Sequence, residues 1–472
     1  MTTDNRRKEG KPEAEMEDSG ESSVLLPKSA MVDEAERDKS ILPSDKQRSH
    51  TATIESVVSD WNIEVAFTAV IRNKGAPGID GVRTDEILAV MKKQWPRIKQ
   101  EILDGKYCPR PVRRVEIPKP DGGGVRQLGI PTVMDRIIQQ AVYQELLPVF
   151  DPTFSIHSYG FRPGRSAQEA VLQAQQYIQE GYEWVVDIDL EKFFDRVNHD
   201  ILMARVARRV KDKKILLLVR RFLQAGVMEN GLVKSTEEGT PQGGPLSPLL
   251  SNIMLDDFDK ELEKRGLRFV RYADDSNTYV KSEKAGMRVM EASVRYLSEK
   301  LKLKVNLKKS AVDKPWNRKF LGFTFTNGKE AKQIAVHESR IKRFKDKIRG
   351  LNKKMRGSNV AYSISRYIMP LTRGWANYFA IAEGRNVFVS LDGWVRRKIR
   401  CILWRQWKKP RTRCKRLVEL GLKEKTARQT AYSSKGPWRM ARSYGMHKAL
   451  ANWVIEAMGY TSMEKMVGAR SQ

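Results

Sequence analysis

Phe269-Val270-Arg271-Tyr272-Ala273-Asp274-Asp275-Ser276-Asn277-Thr278-Tyr279-Val280 sets two adjacent carboxylates where two β-prone runs meet. Phe269 to Tyr272 and Thr278 to Val280 are rich in aromatic and β-branched residues, so they read as strands, with the polar residues between them as the turn. A turn lifts Asp274 and Asp275 clear of the sheet, where hard oxygen ligands can take magnesium together with substrate phosphates. Adjacent aspartates are also ordinary turn residues. The pair therefore needs support from elsewhere in the chain.

That support is the run Trp184-Val185-Val186-Asp187-Ile188-Asp189-Leu190. Strand alternation places Asp187 and Asp189 on one face and Val186, Ile188 and Leu190 on the other. Carboxylates contributed by two separate elements are what a two-metal phosphoryl-transfer site requires. Working outward, Val112 to Ile117 and Val125 to Ile130 flank Pro118-Lys119-Pro120-Asp121-Gly122-Gly123-Gly124, a hairpin signal. Helices are expected around a Gly/Pro loop at 73–81 within 54–106, and over 133–148, 167–180, 201–225 and 285–301, followed by a short apolar run at Phe320 to Phe325. Strands interleaved with helices imply an α+β body. Beyond His337 the strand signals fade into basic helices with interspersed tryptophans, which puts a domain boundary near residue 335 and a softer one near 425.

The chain has 472 residues and a formal charge of +30, unevenly spread. Residues 331–472 hold 33 Lys/Arg against 8 Asp/Glu, whereas residues 1–50 hold 9 against 12. A basic terminal region on a nearly balanced body reads as a polyanion-binding appendage, and the natural polyanion is nucleic acid. Residues 1–50 mix charges with Ser and Pro and lack an apolar period, so they are expected to be disordered. No apolar stretch is long enough to span a bilayer, and no signal-peptide core or acid-poor transit segment opens the chain. These features predict a cytoplasmic protein without a membrane partner. The cysteines Cys108, Cys401 and Cys414 form no CxxC pair, which disfavours a disulfide scaffold or a zinc cluster.

Three motifs in order now resemble a known family: Asp189 followed five positions later by Phe194, the segment Gly239-Thr240-Pro241-Gln242-Gly243-Gly244-Pro245-Leu246-Ser247-Pro248, and Tyr272-Ala273-Asp274-Asp275. Together they resemble the palm of reverse transcriptases. His157-Ser158-Tyr159-Gly160-Phe161-Arg162-Pro163 and Gly374-Trp375-Ala376-Asn377-Tyr378-Phe379 extend the likeness, over about residues 54–465, to group II intron-encoded reverse transcriptase/maturases of the bacterial type that lacks an endonuclease domain. The resemblance implies a right-hand polymerase, with fingers and palm at 51–335, a helical thumb/maturase (X) domain at 336–425, and a basic, DNA-binding segment at 426–472.

It implies residue roles as well. Asp189, Asp274 and Asp275 would bind two Mg2+ ions, with Asp187 left as a structural carboxylate. Lys119 and Arg126 would contact the triphosphate of the incoming dNTP. Phe194 would exclude a 2′-hydroxyl, Gln242 would position template or nucleotide, and Lys309 would protonate the leaving pyrophosphate. In Gly393-Trp394-Val395-Arg396-Arg397-Lys398-Ile399-Arg400-Cys401-Ile402-Leu403, the apolar residues Val395, Ile399, Ile402 and Leu403 form one stripe. Arg396, Arg397, Lys398 and Arg400, with Lys408 and Lys409 beyond, are left to bind RNA. The implied activity is RNA-directed DNA polymerisation on a template-primer, together with binding of the protein's own group II intron RNA for splicing and retrohoming into target DNA. A homodimer stays open. The rival readings are an RNA-binding splicing factor without polymerase activity and a domesticated enzyme of DNA repair or phage defence.

Overall fold

The computed structural model describes residues 51–118, 124–229, 232–234, 238–240, 243–328, 332–355 and 357–469. Residues 1–50, Lys119 and Gln242 lie outside them. The described strands are β1 (Val112–Pro118), β2 (Val125–Ile130), β3 (Trp184–Ile188), β4 (Val227–Glu229), β5 (Leu232–Lys234), β6 (Arg268–Tyr272), β7 (Asp275–Val280), β8 (Ala311–Asp313), β9 (Phe323–Phe325) and β10 (Ile334–Val336). They form a β2-β1-β4-β5 sheet, a β6-β7-β3-β8 sheet and a β9-β10 pair.

In the second sheet β7 is central, antiparallel to both β6 and β3. Its register overturns the expected turn: Tyr272 pairs with Asp275, so the turn is only Ala273-Asp274, and Asp275, Ser276 and Asn277 belong to the strand. Ser276, Asn277 and Thr278 are buried despite their polarity, because a central strand is covered on both faces.

Alternation along the strands sends successive side chains into two different cores. Val186, Ile188, Phe269 and Val280 join the first core, with residues of the helices Val133–Phe150, His199–Ala207, Lys213–Gln224 and Ser247–Lys264. Val185, Val270 and Tyr279 join the second, with residues of the helices Ala167–Gln179, Glu338–Lys354 and Asn386–Gln406. The second core runs on through Met440, Met446, Leu450, Ile455, Tyr460 and Met463.

Local chemistry sets the helix ends. Ser166 and Glu169 close a capping box at the start of Ala167–Gln179. The single helix expected over 201–225 is two helices, because Asp212 caps Lys213–Gln224 by accepting from Lys214 N and Ile215 N. Asp392, buried in the helix Asn386–Gln406, accepts from Tyr460 Oη at 2.6 Å and from Met463 N at 2.9 Å, which ties the C-terminal helices to the second core. Among the described residues no helix is long and apolar enough to cross a membrane.

Candidate active site

The β6-β7 turn is held from beneath by one arginine. Ala273 sits in the left-handed region at φ 57°, a conformation that costs a non-glycine residue about 1–2 kcal/mol. Arg271, 1% exposed, opposes that strain by donating from Nη1 to Ala273 O at 2.9 Å and to Asn252 Oδ1 at 3.0 Å. Its Nη2 reaches Ser158 Oγ at 2.8 Å and Asp259 Oδ2 at 2.6 Å, and its Nε reaches Asp259 Oδ1 at 2.7 Å. All five N–H groups of the guanidinium are thereby used, and the fully buried Asp259 is neutralised. The segment His157 to Gly160 runs alongside β6, with Arg271 N donating to His157 O and Tyr159 N to Arg271 O, both at 2.9 Å. Gly160 lies so close to the turn that a Cβ there would stand 2.9 Å from Tyr272 C, and Asn252 Nδ2 fixes its carbonyl at 2.8 Å. Only glycine fits.

β3 brings the second carboxylate to the same edge. Its last ladder pair is Ile188 with Ser276, so Asp189, one residue on, lies beside the start of β7. The turn 306–310 grips Asp189: Asn306 N donates to its carbonyl at 2.8 Å, and Ser310 Oγ accepts from its N–H at 3.0 Å. Lys309 Nζ lies 3.5 Å from Asp189 Oδ2. Asp187 is occupied differently, in a two-donor pair with Arg318, Nη2 at 2.6 Å and Nε at 3.0 Å.

The electrostatics of the cluster are those of a place short of positive charge. Burial, then the nearby Asp189, raises the Asp274 carboxyl above the usual range, while Arg126 and Arg271 oppose the rise. Arg126, exposed on β2 opposite Ile117, is thus within electrostatic reach of Asp274. Asp275 stays accessible, yet the protein packed around its carboxyl and the charges of Asp274, Asp187 and Asp189 push it up to about 7. Bound cations would relieve this repulsion. Among the described residues no three His, Cys, Asp or Glu side chains converge into a metal cage. Hard oxygen donors on Asp189 and Asp274, completed by substrate phosphates, nevertheless suit magnesium, which is usually held by one or two carboxylates rather than by an all-protein cage.

Phe194 follows Lys192, itself left-handed at φ 50°, and lies half-buried with its ring 5.2 Å from that of Phe193. Its carbonyl accepts from Thr240 N at 2.6 Å, and Gly239, at φ 97°, donates to Val197 O at 2.8 Å. A Cβ on Gly239 would meet Phe194 O at 2.9 Å, so the glycine-rich segment approaches the Phe194 turn through backbone alone.

The C-terminal basic residues separate into two groups. The expectation that Arg400 binds RNA does not hold: it is 3% exposed, and its Nε is committed to Leu450 O at 2.9 Å. Arg396 packs over Tyr460, with its centre 5.8 Å from the ring, and pairs with Glu456 at 3.8 Å. Arg397 and Lys398 lie over Trp438 at 3.8 and 4.7 Å. Lys408 and Lys409 are exposed.

Sequence reasoning did not single out Arg271, Asp259, Asn252 or Arg318. The available signal was Arg271 itself, a charge inside the apolar run Phe269 to Tyr272.

Two regions of the chain match known families. The reverse transcriptase (RNA-dependent DNA polymerase) family matches residues 117–325, and the group II intron maturase-specific domain matches residues 341–419. Protein YkfC of Escherichia coli is 35% identical over 293 residues, covering 54% of this chain and 76% of its own length. The group II intron-encoded protein LtrA of Lactococcus lactis is 37% identical over 214 residues, 45% of this chain but only 35% of LtrA. A solved partial Cas6-RT-Cas1–Cas2 complex overlaps 52% of this chain and 42% of its own at 25% identity, with a TM-score of 0.35. The chain belongs to the reverse transcriptases, RNA-directed DNA polymerases, that carry a group II intron maturase-specific domain.

Proposed function

We propose that this chain copies RNA into DNA by nucleotidyl transfer at the edge shared by β3 and the β6-β7 turn, and that it binds its own group II intron RNA to promote splicing and retrohoming. The observation that carries the reading is the meeting of Asp189, just past β3, with Asp274, in the β6-β7 turn, Lys309 acting on the first and Arg126 on the second.

On this reading β6-β7-β3-β8 is the palm and the β1-β2 hairpin belongs to the fingers, within 51–335. The thumb/maturase helices follow at 336–425, and a basic segment that meets target DNA at 426–472. Asp189 and Asp274, with Asp275 adjoining, would hold magnesium. The bound metal would neutralise the triphosphate and lower the pKa of the primer 3′-hydroxyl. Arg126, and Lys119 in the sequence after β1, would supply donors for the dNTP phosphates. Phe194, on a turn whose carbonyl is fixed by Thr240, presents a half-buried ring where the sugar would lie and excludes a 2′-hydroxyl. Gln242 follows the segment packed on that turn and would position template or nucleotide. Lys408 and Lys409, exposed beyond the helix Asn386–Gln406, are the phosphate contacts of that region for intron RNA.

The test is primer extension on an RNA template with dNTPs and Mg2+. The wild-type protein yields cDNA and the Asp189→Asn variant yields none. Full-length cDNA from Asp189→Asn would overturn the assignment.

A further inference from the structure

We propose that Asp187 and Arg318 form a clamp that sets Lys309 over Asp189, making Arg318 a positioning residue for nucleotidyl transfer. The inference rests on the reading of Asp189 as a catalytic carboxylate.

Asp187 points from the same strand as Asp189 but does different work. Its Oδ2 accepts from both Nε and Nη2 of Arg318, at 3.0 and 2.6 Å, and the same Nη2 donates to Lys309 O at 2.6 Å. Arg318 therefore joins β3 to the residue whose ammonium lies 3.5 Å from Asp189. The turn it holds is tight, with Lys309 N and Ser310 N both donating to Asn306 O at 3.0 and 2.9 Å.

Lys309 needs such an anchor. Its side chain is 64% exposed and rotamer-rich, so where the ammonium sits depends on where its backbone is pinned. Five hydrogen bonds pin it: two between the turn and Asp189, at 2.8 and 3.0 Å, hold the strand end, and the three of Arg318 tie the turn to Asp187. A lysine at position 318 would keep the charge but lose the planar fork that serves Asp187 and Lys309 together.

The step assisted is the departure of pyrophosphate. The primer 3′-oxygen, its proton gone to solvent, forms a bond to the α-phosphorus as the bond to the bridging α,β-oxygen breaks. Pyrophosphate leaves with that electron pair and takes a proton from Lys309 Nζ, which solvent restores.

A double-mutant cycle tests the clamp. The kcat and the KM for dNTP are measured on an RNA template for wild type, Lys309→Met, Arg318→Gln and the double variant, all with equal melting temperatures. Arg318 and Asp187 are partly exposed, with side chains 26% and 20% accessible, and thermal melting of each variant checks that it folds. Lys309→Met lowers kcat by about 10²-fold. Arg318→Gln lowers kcat by about tenfold with KM within about twofold, Arg318→Lys does not rescue it, and the double variant is no slower than Lys309→Met alone. Defects that multiply in the double variant overturn the clamp, as does an Arg318→Gln protein at the wild-type rate. A Lys309→Met protein at the wild-type rate overturns it too, but leaves Asp189 untouched. The Asp189 reading fails separately, if Asp189→Asn polymerises.

Discussion

Replacing Gly160 by alanine adds one methyl group beneath the turn that carries Asp274, with a cost that follows from the geometry. The new Cβ would lie 2.9 Å from Tyr272 C, 3.1 Å from Ala273 Cα and closer still to Ala273 N, all of them backbone that no rotamer change can relieve. Ordinary contact begins at 3.4 Å, so the turn, or the segment His157 to Gly160, must retreat. That segment is pinned by Asn252 Nδ2 on Gly160 O and by its ladder to Arg271, and the turn by Arg271 on Ala273 O, so the two share the displacement and the turn moves with it. A retreat of about 1 Å displaces the Asp274 carboxylate enough to lower kcat about 10²-fold, or about 2.7 kcal/mol of barrier. The assay is pre-steady-state primer extension on RNA, alongside thermal melting and intron RNA binding. Gly393→Ala is the control, since a Cβ there meets nothing within 4 Å. Gly160→Ala should fold, bind RNA as wild type and extend slowly, whereas Gly393→Ala should match wild type. A fully active Gly160→Ala protein would refute the view that this contact sets the position of Asp274.

The other predictions concern charge. Asp275 is held at about 7, above its ordinary value, so the folded state keeps its proton more tightly than the unfolded chain does. The stability this contributes is full below the unfolded value and lost as pH rises through about 7. In metal-free buffer, melting of Asp275→Asn relative to wild type should therefore gain between about pH 5 and pH 8, and Mg2+ should raise wild type more at the higher pH; parallel melting curves would contradict the charge-poor reading of the site. At the C-terminus, Lys408→Ala and Lys409→Ala should each flatten the salt dependence of RNA binding by about one unit of slope. Arg400→Ala should instead leave that slope intact and cost about 1–3 kcal/mol of stability by orphaning Leu450 O; a melting temperature equal to wild type would count against its structural role.

Much of this was legible in the sequence, and the gaps have physical causes. β1, β2, β3 and β6 follow their β-branched and aromatic runs, and the order of Asp189, Phe194 and Asp274 marked the family. The turn was read too long because β7 is central: Ser276 and Asn277 are polar yet buried, and polarity in a covered strand imitates a loop. The support of Asp274 was hidden because Arg271 finds Asp259 and Asn252 on the helix Ser247–Lys264, which begins inside a Pro-Gly segment that reads as loop. Arg400 was misread because helical periodicity gives the apolar stripe but not the later helices that cover the opposite face, and Leu450 lies fifty residues away. Asp187 and Asp189 shared a face by alternation, and only Arg318, from a distant turn, separates their tasks.

The most direct test of the account is a paired measurement on Asp274→Asn: cDNA synthesis on an RNA template and affinity for intron RNA, in the same buffer. The substitution keeps size and shape but removes the charge that the site would use to hold magnesium. Polymerisation should fall below detection while RNA affinity stays within about twofold of wild type, because the proposed phosphate contacts Lys408 and Lys409 are left unchanged. Sustained cDNA synthesis by Asp274→Asn would contradict the central claim that this turn is half of the polymerising site.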